Sequence, residues 1–477
     1  KMKKIVLQFA LGFIIILTVF IVILFNSNYK ERVISLIPEY AKDFIKRNVL
    51  VYSHIKKLEN NYTEINYKIN NFKKKLNDKN IQTYEFTKSL NFANKYEVSF
   101  FYNNDFIWIE EKALNRPRAY FANDGKRLIK VTGNGNIFYL EKDNLSLEKK
   151  YISFKKISNN FKDIFLSEIS YRNKHASIVK NILISDNNLY ISFLEKRSDD
   201  CYVNSIVYAK VNYLKLKFKK FFDTNFCLPY FDDSSGGNID SSENNIFLTV
   251  GDWGIYNYKN KEIYKELKFG NPQKIDNPLG KILSIDKESG LHKIVSIGHR
   301  NQQGLYYDKI TKYLYSTEHG PKGGDEVNLN KNVKNLNNYG WPISSYGEHY
   351  DFENFETSSK TKERYIVAPL KKSHEENNFT EPLLYFTPSI GISQILKIYD
   401  DKSNLEKFSL FVAALGNDKE EGDLSLHEFV MNKNHETLKH NVFFLDERIR
   451  DMEYLEEENL VILFLEKKGS IAILKKL

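Results

Sequence analysis

The chain has 477 residues, 42% hydrophobic and 27% charged, which is enough to bury a large core and leaves no case for intrinsic disorder as its default. Its net charge of +9 sits at the start: residues 1–80 hold 15 Lys/Arg and 6 Asp/Glu, which leaves 55 of each sign beyond. A neutral main body offers no basic stripe to a phosphate backbone, so no nucleic-acid partner is expected.

In chain order, the first predicted element is Ile5 to Phe25, 21 residues in which only Gln8 and Thr18 are polar. That length crosses ~30 Å of hydrocarbon. Lys1, Lys3 and Lys4 precede it and no small-x-small cleavage site follows, so residues 1–29 read as an uncleaved signal anchor in the inner membrane. The positive-inside rule then places the remainder outside the cytoplasm, in the periplasm. Residues 30–90 read as a helical stalk. Ile55, Leu58, Tyr62, Ile65, Ile69, Phe72 and Leu76 step by 3 and 4, which suits either a coiled-coil seam between copies of the chain or an amphipathic helix laid on its own domain.

From residue 91 to 477 the pattern is a polar turn followed by a short β-branched and aromatic run, as in "NNLYISFL" at 187–194 and "KFSLFVAALG" at 407–416. Recurring short strands predict an all-β domain. At this length, imperfect repeats suit a β-propeller of six four-stranded blades. Cys201 and Cys227 are too few for a disulfide framework, although an exported domain would allow them to pair.

Fourteen of the 22 glycines lie between Gly236 and Gly347, gathered in "SSGGN", "IGHRNQQGL", "STEHGPKGGDEVNL" and "NNYGWPISSYG". Such glycines serve positions that need φ > 0 or a close backbone approach to a ligand. No GxxxxGK[ST], HExxH or CxxC accompanies them.

Four segments, "GHRNQQGL", "EHGPKGGDEVN", "NYGWP" and "ERIRD" at 447–451, resemble in sequence and order the soluble-type sugar dehydrogenases that use pyrroloquinoline quinone (PQQ), the glucose/sorbosone and aldose sugar dehydrogenases. The resemblance runs from about residue 235 to 475 and implies a six-bladed propeller that oxidises a sugar or other small polyol. It assigns Arg300, Asn301 and Gln303 to the polar edge of the cofactor, and Arg448 and Arg450 to its carboxylates. Gly320 and Pro321 match positions whose carbonyls ligate calcium, and Asp325 and Glu326 match acids that brace that loop. Two departures bear on activity. Ser234 stands at the position of the family's general-base histidine, with Asn238 where an arginine is usual and Asp233 as a substitute base. Gly416 stands at the position of a lysine that meets the quinone. Two functions are therefore carried forward: a membrane-anchored, exported sugar dehydrogenase with an altered base, and a non-catalytic propeller that binds a sugar, cofactor or protein partner.

Overall fold

Short apolar runs separated by Asn, Asp and Gly fold into antiparallel hairpins. Between Val179–Ser185 and Asn188–Ser198 the turn is Asp186-Asn187, both at positive φ (50° and 58°), the two-residue geometry that matches strand twist. The computed structural model describes residues 80–477 apart from 93–94, 104–116, 146–148, 162–177, 199–200, 257–271 and 404. The predicted anchor and the seam from Ile55 to Leu76 lie outside the described residues. Within those residues, no helix is long and apolar enough to cross a membrane.

Six blades follow one another along the chain, four-stranded except for the third, to which the short strand Asn337–Asn338 adds a fifth. Their innermost strands are Ala119–Asn123, Val179–Ser185, Gly236–Ser241, Gln302–Tyr307, Ile392–Tyr399 and Ile449–Leu455. Each packs against the next, and the sixth returns to the first, which closes the ring of a β-propeller. The sixth blade takes three strands from residues 449–476 and its fourth, Tyr96–Tyr102, from the other end of the domain, paired antiparallel with Ser470–Lys476.

Polar side chains tie neighbouring inner strands together. Asn181 donates to Asn238, Asn238 to the Gln302 carbonyl, Ser393 to the Ile449 carbonyl, Gln394 to Asp451, and the Phe121 N–H to Asp451. Apolar faces fill the space between blades; Ile246, Leu248, Leu283 and Ile285 of the third blade are almost fully buried, each side chain contributing roughly 1.5–3 kcal/mol.

Three features depart from or complete the sequence reading. Ile81–Phe92 is a strand that pairs with Tyr96–Tyr102 and Tyr151–Lys156 and bridges the sixth and first blades. It belongs with the sheets and not with a helical stalk ending at residue 90; the chain divides at Asp78/Lys79. A helix, Ser359–Val367, capped by the Ser358 hydroxyl on the Thr361 N–H, sits in the long connection of the fourth blade. Cys201 and Cys227 are joined in a disulfide, with Cα atoms 4.6 Å apart.

Candidate functional site

The residues singled out from sequence gather where the inner strands begin and the second strands of the blades end. Arg118 immediately precedes the first inner strand, the turn Asp233–Ser235 the third, Arg300 and Asn301 the fourth, and Arg448 the sixth. Gly320 follows the second strand of the fourth blade, and Gly416 that of the fifth.

At the propeller axis three guanidinium groups converge on one carboxylate. Glu466, buried just after Leu460–Leu465, accepts from Arg118 Nε (3.0 Å), Arg448 Nε (3.1 Å) and both Nε and Nη2 of Arg450 (2.9 and 2.8 Å). Burial alone would raise this carboxyl; Arg450, Arg118 and Arg448 outweigh it and hold it down at about 2. Arg450 also donates through Nη1 to Gln303 Oε1 (3.1 Å), and Gln303 Nε2 donates to Asn301 Oδ1 (2.9 Å). Arg118, Tyr120, Lys180, Gly236, Asn238, Gln303 and Arg450 line a pocket here.

Asp233 stands at the rim, its Oδ1 3.4 Å from both Arg118 Nη1 and Lys180 Nζ. Ser234 donates its backbone N–H to Asp232 Oδ1 (2.7 Å) and accepts at its carbonyl from Trp253, so the turn that carries its hydroxyl is fixed from both sides. Asn238 is committed to the polar ties between inner strands.

The fourth-blade loop is held by its own chain. Arg300 Nη1 donates to the carbonyls of His319 (2.8 Å) and Gly320 (2.7 Å), with its guanidinium 5.5 Å from the centre of the Trp341 ring. Asp325 accepts from the Gly320 N–H (3.0 Å) and from the Ile392 N–H of the next blade (2.8 Å). A Cβ at Gly320 would lie 2.1 Å from the Gly324 carbonyl oxygen, so only glycine fits. Glu326 is buried, which raises it to about 7, with His374 Nε2 3.3 Å away. His319 is pushed down to about 4, first by burial and, against the pull of Asp325, by Arg300, Arg450 and Arg448.

This geometry tests the two groups implied by the sequence. Three guanidinium groups, Arg118, Arg448 and Arg450, share the single carboxylate of Glu466, with Lys180 and Asp233 beside them, and that crowding of guanidinium donors suits a polycarboxylate such as PQQ. For calcium, the carbonyls that the resemblance assigns to it are engaged within the chain. The Gly320 carbonyl expected to ligate it is occupied by Arg300, the Pro321 carbonyl has the Ser389 hydroxyl at 3.5 Å, and no group of three His, Cys, Asp or Glu is placed for a metal among the described residues. At Gly416 a Cβ would meet the Asp423 carboxylate at 1.8 Å, so a lysine there requires Asp423 to move.

Arg118, Lys180 and Glu466 were not singled out from sequence. The available signal was a charged residue set into or beside an apolar inner-strand pattern, as in "IVKNIL" and "PRAYF".

Comparison with known proteins bears on the family. The family model for glucose/sorbosone dehydrogenase matches residues 178–474. The aldose sugar dehydrogenase YliI of Escherichia coli K12 is 32% identical over 130 residues, 27% of this chain and 31% of that protein. An uncharacterised Synechocystis protein, slr1608, is 26% identical over 179 residues, 38% of each chain. The matches thus span about a third of the length of these relatives. Among solved structures, a glucose dehydrogenase superposes with a TM-score of 0.55 at 19% identity, covering 76% of this chain and 96% of its own. The apo form of the soluble aldose sugar dehydrogenase from E. coli gives 0.50 at 18%, with the same coverage. With a family match over more than half its length and the site residues gathered at one end of a propeller ring, the chain belongs to the glucose/sorbosone dehydrogenase family.

Proposed function

We propose that this protein is a quinone-dependent sugar dehydrogenase-like propeller held outside the cytoplasm by the apolar segment Ile5 to Phe25. The observation that carries the reading is the convergence of Arg118, Arg448 and Arg450 on Glu466 beside Gln303. Bound PQQ would supply a two-electron acceptor for hydride from a sugar carbon. The chain's own residues bind and orient it: Arg448 and Arg450 present guanidinium edges to carboxylates, Gln303 and Asn301 meet a polar edge, and Asp325 ties the facing loop to the next blade. The Gly320 carbonyl, which the resemblance gives to calcium, accepts from Arg300 in this loop. The Cys201–Cys227 disulfide supports an oxidising compartment.

A second reading, a propeller that binds without turnover, is favoured by Ser234 and Gly416. A serine hydroxyl does not accept a proton near neutral pH, and Asp423 fills the space beside Gly416. Titration of the purified protein with PQQ, followed by absorbance, tests the cofactor. Saturable binding is expected, weakened at least ~10-fold in Arg450→Ala by loss of a charge-assisted pair. No binding, or binding indifferent to Arg448→Ala and Arg450→Ala, would refute it. Dye reduction with aldoses then separates the two readings.

A further inference from the structure

Oxidising a hydroxyl requires somewhere for its proton to go, and the described lining of the axial pocket offers few acceptors. Arg118 and Arg450 do not deprotonate in proteins. Burial raises the Tyr120 phenol, which leaves it a hydrogen-bond donor at neutral pH. Gln303 and Asn238 do not titrate, and Gly236 has no side chain. Lys180 remains.

We propose that Lys180 is the proton acceptor of this pocket, the base that Ser234 cannot be. The proposal rests on the dehydrogenase reading above and deepens it.

The fold is built to bring this lysine in. Lys180 is the second residue of the inner strand Val179–Ser185, at a shift in its pairing with the next strand, and its side chain is 5% exposed. Its stem crosses the backbone of the next blade at Gly237, where a Cβ would lie 2.5 Å from Lys180 Cβ and 2.7 Å from Cγ; Gly237, at φ +101°, leaves that room. Nζ ends 3.4 Å from Asp233 Oδ1 and 5.6 Å from the centre of the Phe231 ring, one residue from Ser234. The charged groups facing it are Asp233, Asp232, Arg118 and Arg450. Burial, which disfavours the ammonium, and Arg118 and Arg450 outweigh the pull of Asp233 and bring the amine down to about 8. A lysine tuned to ~7–8 is suited to general-base work near neutrality. In the step, the sugar O–H bond breaks and its proton goes to the Nζ lone pair, giving an ammonium. The carbon–oxygen double bond forms as the C–H electron pair leaves with its hydrogen to a bound o-quinone, which is reduced by two electrons. The ammonium returns its proton to solvent.

The test uses the full chain with three probes. Lysine labelled with carbon-13 at Cε reports the protonation of Lys180, assigned by loss of its signal in Lys180→Arg; a midpoint near pH 8 is expected, and one at about 10 or above, the ordinary lysine range, overturns the proposal. PQQ titration reports cofactor binding without turnover. Dye reduction with D-glucose should rise through about pH 8 and fall ~10²- to 10⁴-fold in both Lys180→Arg and Lys180→Met. An ion pair that merely supports the turn would survive in Lys180→Arg and keep its turnover, and that result sinks the idea. So does absence of turnover by the unaltered protein at about pH 9, where most of such an amine is neutral. In that case PQQ binding shows whether the cofactor reading survives, and its absence shows that both fail.

Discussion

Glu466 is the residue on which the axial charge balance turns. It is the shared partner of three guanidinium groups, and its carboxyl is held at about 2 against an ordinary value of 4.5. A depressed acid of this kind contributes stability that is fully present above its unfolded pKa and is lost as pH falls through the folded one. The expected contribution is about 3 kcal/mol, disappearing between about pH 5 and 2. Urea midpoints measured across that range should fall steeply for the unaltered protein and more shallowly for Glu466→Gln, which should also be less stable at pH 7; parallel profiles would show that the arginines do not depend on this acid. Arg300, Gln303 and Arg450 were legible in the sequence because each belongs to a short, ordered motif. Glu466 was not, because its partner Arg118 is 348 residues away in the chain, and in "FLEKKG" it reads as a solvated strand end. Lys180 was hidden the same way, since its role follows from which inner strand lies beside Gly237.

Among the elements, the loop from Gly320 to Asp325 is where a guanidinium meets the carbonyls that the resemblance gives to calcium. Backbone carbonyls that face inward need a positive partner, and here a guanidinium supplies it while Asp325 fastens the loop to the fifth blade. Chelator or added calcium should therefore leave the melting temperature of the protein unchanged, whereas Arg300→Met should lower it, through a loss of stability of about 1–3 kcal/mol for each carbonyl left unpaired. A fall on chelation that calcium reverses would restore the metal to this loop. Strand-rich hairpins such as Asn188–Ser198 and Lys407–Ala414 were readable from their turns and alternation. Ile81–Phe92 was not, because the heptad spacing just before it drew the helix onward and its outer half is largely exposed.

At the scale of the molecule, the chain's excess of positive charge lies in residues 1–80 and the propeller is close to neutral. If the seam from Ile55 to Leu76 meets the same seam of another copy, fragment 30–477 should sediment as a dimer or trimer and fragment 79–477 as a monomer. Monomers for both would mean that the seam is covered within one chain. The sixth blade adds a constraint of a different kind. Its fourth strand, Tyr96–Tyr102, precedes nearly all the other blade strands, yet it pairs with Ser470–Lys476, whose last residue is the penultimate one of the chain. Until Ser470–Lys476 has been made, Tyr96–Tyr102 has an open edge and the ring cannot close. Closure of the ring thus waits for the last of its strands to be made, and the edge of Tyr96–Tyr102 that Ser470–Lys476 covers stays open while the intervening blades are synthesised.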